Sequence, residues 1–464
     1  MASISLPIAS YELRSRWASP QRLVNCYIEQ LPAGAKSPVL LGRAPGIDTW
    51  TTVGVGQIRA MHVAQSLGLL FVVSGSKLYS IDKNKAATLL GDVGTGDIDI
   101  DSNETTVVVV SAPNAYYYDS TTSTFGQITD PDFTARGAGD VEFLDNYLLF
   151  REPNSGRFFS SDLANATSFD ALNFATAEAA TDAIVGMVVD HRQVLLFGSK
   201  SLEIWENTGA SGFPFERSIN GYVEQGCLNG RTLAKVDQSV FWLADDRTVR
   251  RLDGVTPMRV STHAIEQRIF DSTVETASAF SYSQDGHIFY VLRMEEGTFV
   301  YDCTTQQWHE RQSYASETWT VGTSVEFAGK VLMGDANNNF IGEINPFSYS
   351  EFGAIQRMEW VYQPIYAEEH RAFHHRLEML FEPGVGLTAG QGSDPEVMLD
   401  KSDDGGISWE SLPNKKLGKR GQYHNRVVWS ACGSAFQRVY RGAVTDPVKV
   451  VLSDTLVEVE GGGL

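Results

Sequence analysis

The feature that most constrains this chain is a hairpin that recurs along it. Residues 193–207, QVLLFGSKSLEIWEN, read as an apolar strand, a Gly198–Ser199 turn and a second strand whose Leu202, Ile204 and Trp205 can reach a buried face. GLLFVVSGSKLYSID, from Gly68, repeats the pattern closely. Looser copies start at Thr105, Asn146, Ser239, His287 and Lys330. The starts lie roughly 35 to 50 residues apart, the spacing of solenoids, propellers and arrays.

What flanks each hairpin selects among these. A short strand-like segment precedes every copy: IRAMHVA from Ile58, GDIDID from Gly96, VEFL from Val141, VGMVVD from Val185, TLAKVD from Thr232, ASAFSYS from Ala277 and GTSVEF from Gly322. A weaker one follows most of them, such as FGQI from Phe125, MRVST from Met258 or WHER from Trp308. Four antiparallel strands per unit make a propeller blade, and seven units predict an all-β protein built on a seven-bladed β-propeller, or on six if two weak units merge. The last unit lacks a fourth strand after Asn345, while IDTWTTV (47–53) precedes the first unit without a blade of its own. The expectation is that 47–53 closes the ring by completing the last blade, leaving only short, protected edges.

Helical signals are scarce, in keeping with the all-β class. With 37 basic and 57 acidic side chains the net charge is −20, which opposes general nucleic-acid or acidic-membrane binding. Four widely spaced cysteines without CxxC pairing argue for a reducing compartment and against a disulfide scaffold or zinc site. No apolar run reaches membrane-spanning length, and no basic segment followed by an apolar core opens the chain, so a soluble, non-exported protein is expected.

Residues 1–46 lack periodicity and are interrupted by Pro, Ala and Gly, which predicts an extended N-terminal arm packed on the propeller or on a neighbour. In this arm VNCYIEQ (24–30), followed by a polar spacer and APGI (44–47), resembles the opening of the tail hub, or nozzle, proteins of short-tailed bacteriophages, the packaged-DNA stabilisation family. The likeness continues through SGSKLYSI (74–81), DAIVGMVVDHRQVLLFGSKSLEIW (182–205), TGA (208–210), EQGC (224–227) and FVYDCTTQQW (299–308), and resumes with KSDDGGISW (401–409) and VVWSACG (427–433). It implies a structural virion protein of the tail, assembled in the host cytoplasm. Copies would form a ring, a hexamer in that family, that extends the portal–adaptor channel, retains packaged DNA, conducts it at ejection and docks tail fibres or spikes. The implied partners are the adaptor (head-to-tail connector) protein, further copies of the chain and the fibre or spike proteins. DNA would pass through the channel without specific binding.

After Asn345 the repeat stops. Strand-like runs at 357–366, 376–383, 396–404, 425–433, 437–444 and 448–460 suffice for a β-sandwich-like C-terminal domain over 350–464, after a propeller over 47–349. The final GGGL is expected to be disordered.

Ser402, Asp404, Gly406, Ser408 and Trp409 fit S-x-D-x-G-x-[ST]-W, which looks like the Asp-box of sialidases and other propellers. Its role is a hairpin in which Asp and Ser oxygens bond turn amides. Asp97, Asp99 and Asp101, alternating with isoleucines, put three carboxylates on one strand face. The plainer reading is a solvated edge, and the sharper one an acidic stripe on the channel wall or its rim that repels passing DNA over about 10 Å. DANNNF (335–340) has the oxygen spacing of a calcium loop but sits where a hairpin turn is due. His370, His374 and His375 have metal-like spacing in a β context with no further ligand, and NKKLGKR (414–420) is a lone basic patch. No nucleophile or phosphate-loop motif stands in strand–turn–helix context, so no catalytic residue, cofactor or metal is assigned. The competing reading is a glycan-binding or sialidase-like propeller, though an arginine triad with a Tyr/Glu pair cannot be assembled at the blade starts.

Overall fold

A computed structural model describes residues 2–35, 37–366 and 370–461. Of the GGGL tail, Gly461 ends the last strand, and 462–464 lie outside the described residues.

Each hairpin unit becomes one antiparallel sheet. Five stand free as four-stranded sheets, over 58–92, 98–127, 141–176, 184–223 and 234–259. Two more four-strand sets, one over 278–310 and one formed by 321–345 with Gly46–Thr52, bring the ring to seven blades. The apolar runs that announced the hairpins are second strands, covered on both faces because blades pack face to face. Thr106–Ser111 and Ser239–Leu243 are buried along their whole length. The turn from first to second strand takes two left-handed residues at Asp145–Asn146, His191–Arg192 and Asp237–Gln238. That backbone twist matches the flanking strands of a tight hairpin. Outer strands are largely exposed, as along Ala87–Asp92 and Thr256–Arg259.

Gly46–Thr52 pairs antiparallel with Phe340–Asn345, with Ile47 opposite Ile344. Residues from the two ends of the propeller thus share one blade. Ile47 is fully buried, and its Cγ2 lies 2.1 Å from where a Cβ on Gly342 would stand, so only glycine lets these strands close here.

The N-terminal segment departs from expectation. Rather than forming an extended arm, the described part of this segment supplies strands to the C-terminal domain. Ala2–Ile4 and Val39–Arg43 both pair with Val451–Gly461, and Cys26–Gln30 pairs with Val39–Arg43. Pro20–Val24 lies between Gln307–Glu310, the outer strand of the 278–310 blade, and Met358–Val361 of the C-terminal domain. One sheet therefore runs from that blade through Pro20–Val24 into the sandwich strands Met358–Val361, Gln437–Val444, Glu396–Ser402 and Glu410–Lys416. The facing sheet carries Ala372–Phe381 between Val451–Gly461 and Val427–Ser430. Between them packs a core that includes Leu23, Cys26, Leu41, Trp360, Leu377 and Trp429. The arm is folded in because its apolar residues, Leu23, Cys26, Ile28 and Leu41, fall on the face toward this core.

Asn25 lets the chain change sheets. It adopts the left-handed conformation (φ 54°), which Asn tolerates. Its side-chain NH2 donates to the carbonyls of Gln312 and Arg357, both at 2.8 Å, and its oxygen accepts from Gln312 N at 3.1 Å. Arg43 is buried nearby and donates to the carbonyls of Val448 (3.1 Å), Asp446 and Gln356. Burial holds its guanidinium down at about 10.

Candidate functional site

Three places concentrate polar or exposed aromatic groups: the propeller's central well, the junction between propeller and sandwich, and a hairpin with its neighbouring groove on the sandwich.

The well, a cavity of about 310 Å³, is lined by first strands of the blades. Asp97 and Asp99 of DIDID belong to it. Ile98–Ser102 is the first strand of its blade, and both Asp99 and Asp101 reach the next one. Asp99 Oδ2 accepts from Val141 N at 2.9 Å, and Asp101 Oδ2 from Phe143 N at 2.7 Å. Asp140 continues the device, accepting from Met187 N of the following blade at 3.2 Å while its two oxygens take Arg151 at 2.6 and 3.2 Å. Asp97 is 70% exposed and pairs with Arg231 at 3.2 Å. Lys235 of the 234–259 blade meets Glu142 of the 141–176 blade at 3.1 Å. Asp97 and Asp99 line the propeller's own well, and Asp101 follows on the same strand. There Asp99 and Asp101 fasten one blade to the next, because the first-strand position aims them at unpaired amides of the neighbour. Burial, reinforced by Asp140, pushes the Asp99 carboxyl well above the usual carboxylate range. Burial also pushes Glu142 up, against the pull of Lys235.

The junction is held by charge. Arg22 donates to both oxygens of Glu310, Nε at 3.1 Å and Nη2 at 2.6 Å. The Glu310 side chain is 4% exposed. Burial alone would raise the Glu310 carboxyl, yet Arg22 holds it below its ordinary range. Arg268 stands 3.9 Å from Glu310 and 3.4 Å from Glu12.

The Asp-box residues form the turn between Glu396–Ser402 and Glu410–Lys416. Ser402 Oγ donates to Asp404 Oδ1 at 2.7 Å and accepts from Gly406 N at 2.8 Å. Asp404 also accepts from Ile407 N and Ser408 N, both at 2.9 Å, and from Ser408 Oγ at 2.5 Å. These donors, led by the Ser408 hydroxyl, hold its carboxyl far below the usual range. Trp409 is half-buried, with Arg441 stacked 4.2 Å from its ring centroid. The neighbouring Asp403 takes both Nε and Nη2 of the buried Arg438, at 2.7 and 2.8 Å, which ties the hairpin to the sheet.

Other singled-out residues have structural partners. Asp335 accepts from Asn337 N and Asn338 N in a hairpin turn. His374 and His375 are successive strand residues on opposite faces: His374 is buried beside the Tyr440 hydroxyl at 3.1 Å, and His375 pairs with Glu460 at 2.9 Å. In the basic patch, Lys416 pairs with Glu396 and Asp394. No helix is long and apolar enough to cross a membrane among the described residues.

Sequence reading missed the junction pair and the exposed aromatic cluster of Trp17, Tyr366 and Phe436. The only local signal for the latter was a large aromatic in each of three otherwise polar segments.

Comparison with known proteins places both domains. Residues 19–349 match the family model described as bacteriophage P22 Gp10, beta-propeller, and residues 358–460 match bacteriophage P22 Gp10, beta-sandwich. The chain is similar to the tail hub protein gp10 of Salmonella phage P22, with 22% identity over 442 residues, covering 90% of this chain and 88% of that protein. Among solved structures, the computationally designed Ika8 protein aligns with a TM-score of 0.40 and 15% identity over 70% of this chain and all of its own. The beta-propeller domain of Cps50 (Swd1) from Myceliophteria thermophila aligns with a TM-score of 0.43 and 9% identity over 64% of this chain and 98% of its own. With one family model on the propeller and its companion on the sandwich, the chain belongs to the bacteriophage P22 Gp10 family.

Proposed function

We propose that this protein is a structural component of a short phage tail, resident in the virion after assembly in the host cytoplasm. Copies form a ring, a hexamer on this reading, that extends the portal–adaptor channel, retains packaged DNA, conducts it at ejection and docks tail fibres or spikes. The observation that carries the reading is the family match over both domains, together with a relative named as a tail hub protein.

The geometry supports a particular arrangement. The well of each propeller is bridged by Arg231–Asp97 and Lys235–Glu142, which leaves no bore for a duplex. DNA passes outside the propellers, along an axis that several copies surround. A net charge of −20 suits such a wall, since like charge keeps DNA from adhering within a Debye length. The sheet shared by blade and sandwich makes each copy a stiff unit, so contacts at the adaptor orient the propeller directly. The role is geometric and electrostatic rather than enzymatic.

Electron microscopy of the protein mixed with its portal and adaptor ring, beside the protein alone, tests this. A collar of propellers on the adaptor end, with density for the chain around an axial channel, is the expected result. Particles that stay single in the presence of both partners would overturn the proposal.

A further inference from the structure

We infer that copies of this chain meet head to tail, with the outer edge of the 141–176 and 184–223 blades of one copy docking on the basic end of the sandwich of the next. This contact deepens the ring proposed above and rests on that reading for its partner, a second copy.

Two neighbouring blades share the feature that marks the propeller end. In each, a single residue of the third strand, Ser160 or Ile204, faces four residues of the outer strand, 170–173 or 218–221. The excess bulges outward, so that Leu172 is 78% exposed on one bulge and Ile219 fully exposed on the other. Both bulges are seated. Asp170 Oδ1 accepts from Leu172 N at 2.8 Å, and Arg136 donates to Ala171 O. Gly221 lies so close to the third strand that a Cβ there would stand 2.4 Å from Ile204 O. The outer strands of the 58–92, 98–127 and 234–259 blades are four to six residues long and carry no bulge of this size. The same two edges carry exposed Asp170, Glu178, Glu206, Glu216 and Glu224. Glu206 and Glu216 stand directly opposite each other in the ladder, where like charges destabilise the pair and a cation from outside would relieve it. The nearby cations are committed: Arg217 reaches Glu203 at 3.8 Å, and Arg136 lies over the Phe159 and Phe174 rings.

The sandwich end has the complementary chemistry. The sheet that leaves the 278–310 blade finishes on the free edge of Glu410–Lys416, five strands or about 24 Å beyond that blade's outer strand. The bulged blades lie two and three blades round the ring from that attachment. The two surfaces are therefore well separated on one copy, as a heterologous contact requires, and such contacts close into a ring when the rotation allows. Lys415, Lys416, Lys419 and Arg420 follow along the edge strand and the loop after it. Lys416 pairs with Glu396 and Asp394, and Lys419 stands 3.8 Å from Asp394. Lys415 and Arg420 have no carboxylate at ion-pair distance among the described residues. Beside them Tyr423 is 67% exposed, its ring set against Gly384, where a Cβ would lie 2.7 Å from it. An aromatic held among cations matches apolar tips held among carboxylates. At a net charge of −20 per copy, most other pairings of two copies are repulsive.

Carbodiimide coupling, which joins only amines and carboxylates in contact, tests this on an equal mixture of isotopically light and heavy full chain, alone at high concentration and on its portal and adaptor ring. Mixed-isotope links from Lys415, Lys416 or Lys419 to the five acidic residues of the bulged blades are expected. Assemblies whose mixed links all lie elsewhere overturn the contact and leave the tail reading standing. The expected links between copies that never join the adaptor uphold the contact and sink the tail reading, and copies that stay single in both settings overturn both. Direction is read from heavy Ile219→Asp mixed with light Lys419→Glu/Arg420→Glu. Links through Lys415 and Lys416 should run from heavy lysines to light carboxylates at least about tenfold more often than the reverse, at unchanged melting temperatures. Equal numbers in both directions overturn the head-to-tail contact.

Discussion

Replacing Arg22 with methionine should uncouple propeller from sandwich while leaving each folded. Arg22 lies on the strand between Gln307–Glu310 and Met358–Val361, and its two bonds to Glu310 are the only bidentate charge contact there among the described residues. The variant keeps the aliphatic volume and leaves Glu310 buried, with Arg268 at 3.9 Å as its remaining partner. Breaking a buried pair from one side costs about 3–5 kcal/mol, and the surviving Arg268 places this case near 3. Because two domains are involved, the readout is local: amide exchange at 21–24 and 358–361 should quicken roughly a hundredfold while the distant blades keep their protection. Arg22→Met/Glu310→Met should recover most of the loss, since an apolar pair leaves no uncompensated charge. The pH dependence supplies a second check. In the wild type Glu310 is held below its ordinary value, so its contribution is present above about pH 4.3 and is lost as pH falls through the folded value. In the variant burial dominates, Glu310 titrates above its ordinary value, and the junction should tighten as pH falls from 7 toward 5. Exchange within about threefold of wild type at pH 7, or no reversal with pH, would refute the argument.

Ile47→Ala should open the closing blade at a cost of about 2–5 kcal/mol, seen as faster exchange at 46–52 and 340–345 than in the 98–127 blade; equal acceleration everywhere would show that closure is not local. Asp404→Ala should loosen the 402–409 turn, with new proteolytic cleavage there. Asp404 titrates far below its ordinary value, so the wild-type turn should hold above about pH 4 and loosen only as pH falls through that lower value. His374 is held down to about 4 by burial, then Arg438, so the fold carries it neutral. Its contribution is present above about pH 6.5 and declines as pH falls toward about 4, and His374→Phe should flatten denaturation midpoints across that interval.

What could be read from the chain followed from how far each strand's partner lies along it. Second strands such as Val194 to Phe197 announced themselves because both faces are buried, and the hairpin partner stands a few residues away. Fourth strands are largely exposed and carry a weak pattern, as at Ala87–Asp92. Val39–Arg43 and Pro20–Val24 look like an arm because the strands that fix their place in the domain, Val451–Gly461 and Met358–Val361, lie some hundreds of residues downstream, and five-residue strands interrupted by Pro and Gly carry little periodicity of their own. The Asp-box turn was legible since every bond in it is local. The aspartates at 97–101 were seen, but not their use. The amides they accept from, Val141 and Phe143, belong to a strand whose adjacency only the closed ring creates.

The closing blade also sets a clock on synthesis. Gly46–Thr52 leaves the ribosome long before Phe340–Asn345 exists, and Val39–Arg43 waits longer still for Val451–Gly461. At roughly 5–20 residues per second the gap of about 290 residues lasts on the order of 15–60 s. Throughout it a strand with open edges, Ile47 and Trp50 included, is bare on the nascent chain. The nascent chain is therefore most exposed to mispairing with its own kind during that interval, and folding yield should respond to translation speed and to strand-shielding chaperones more than to the stability of the finished ring.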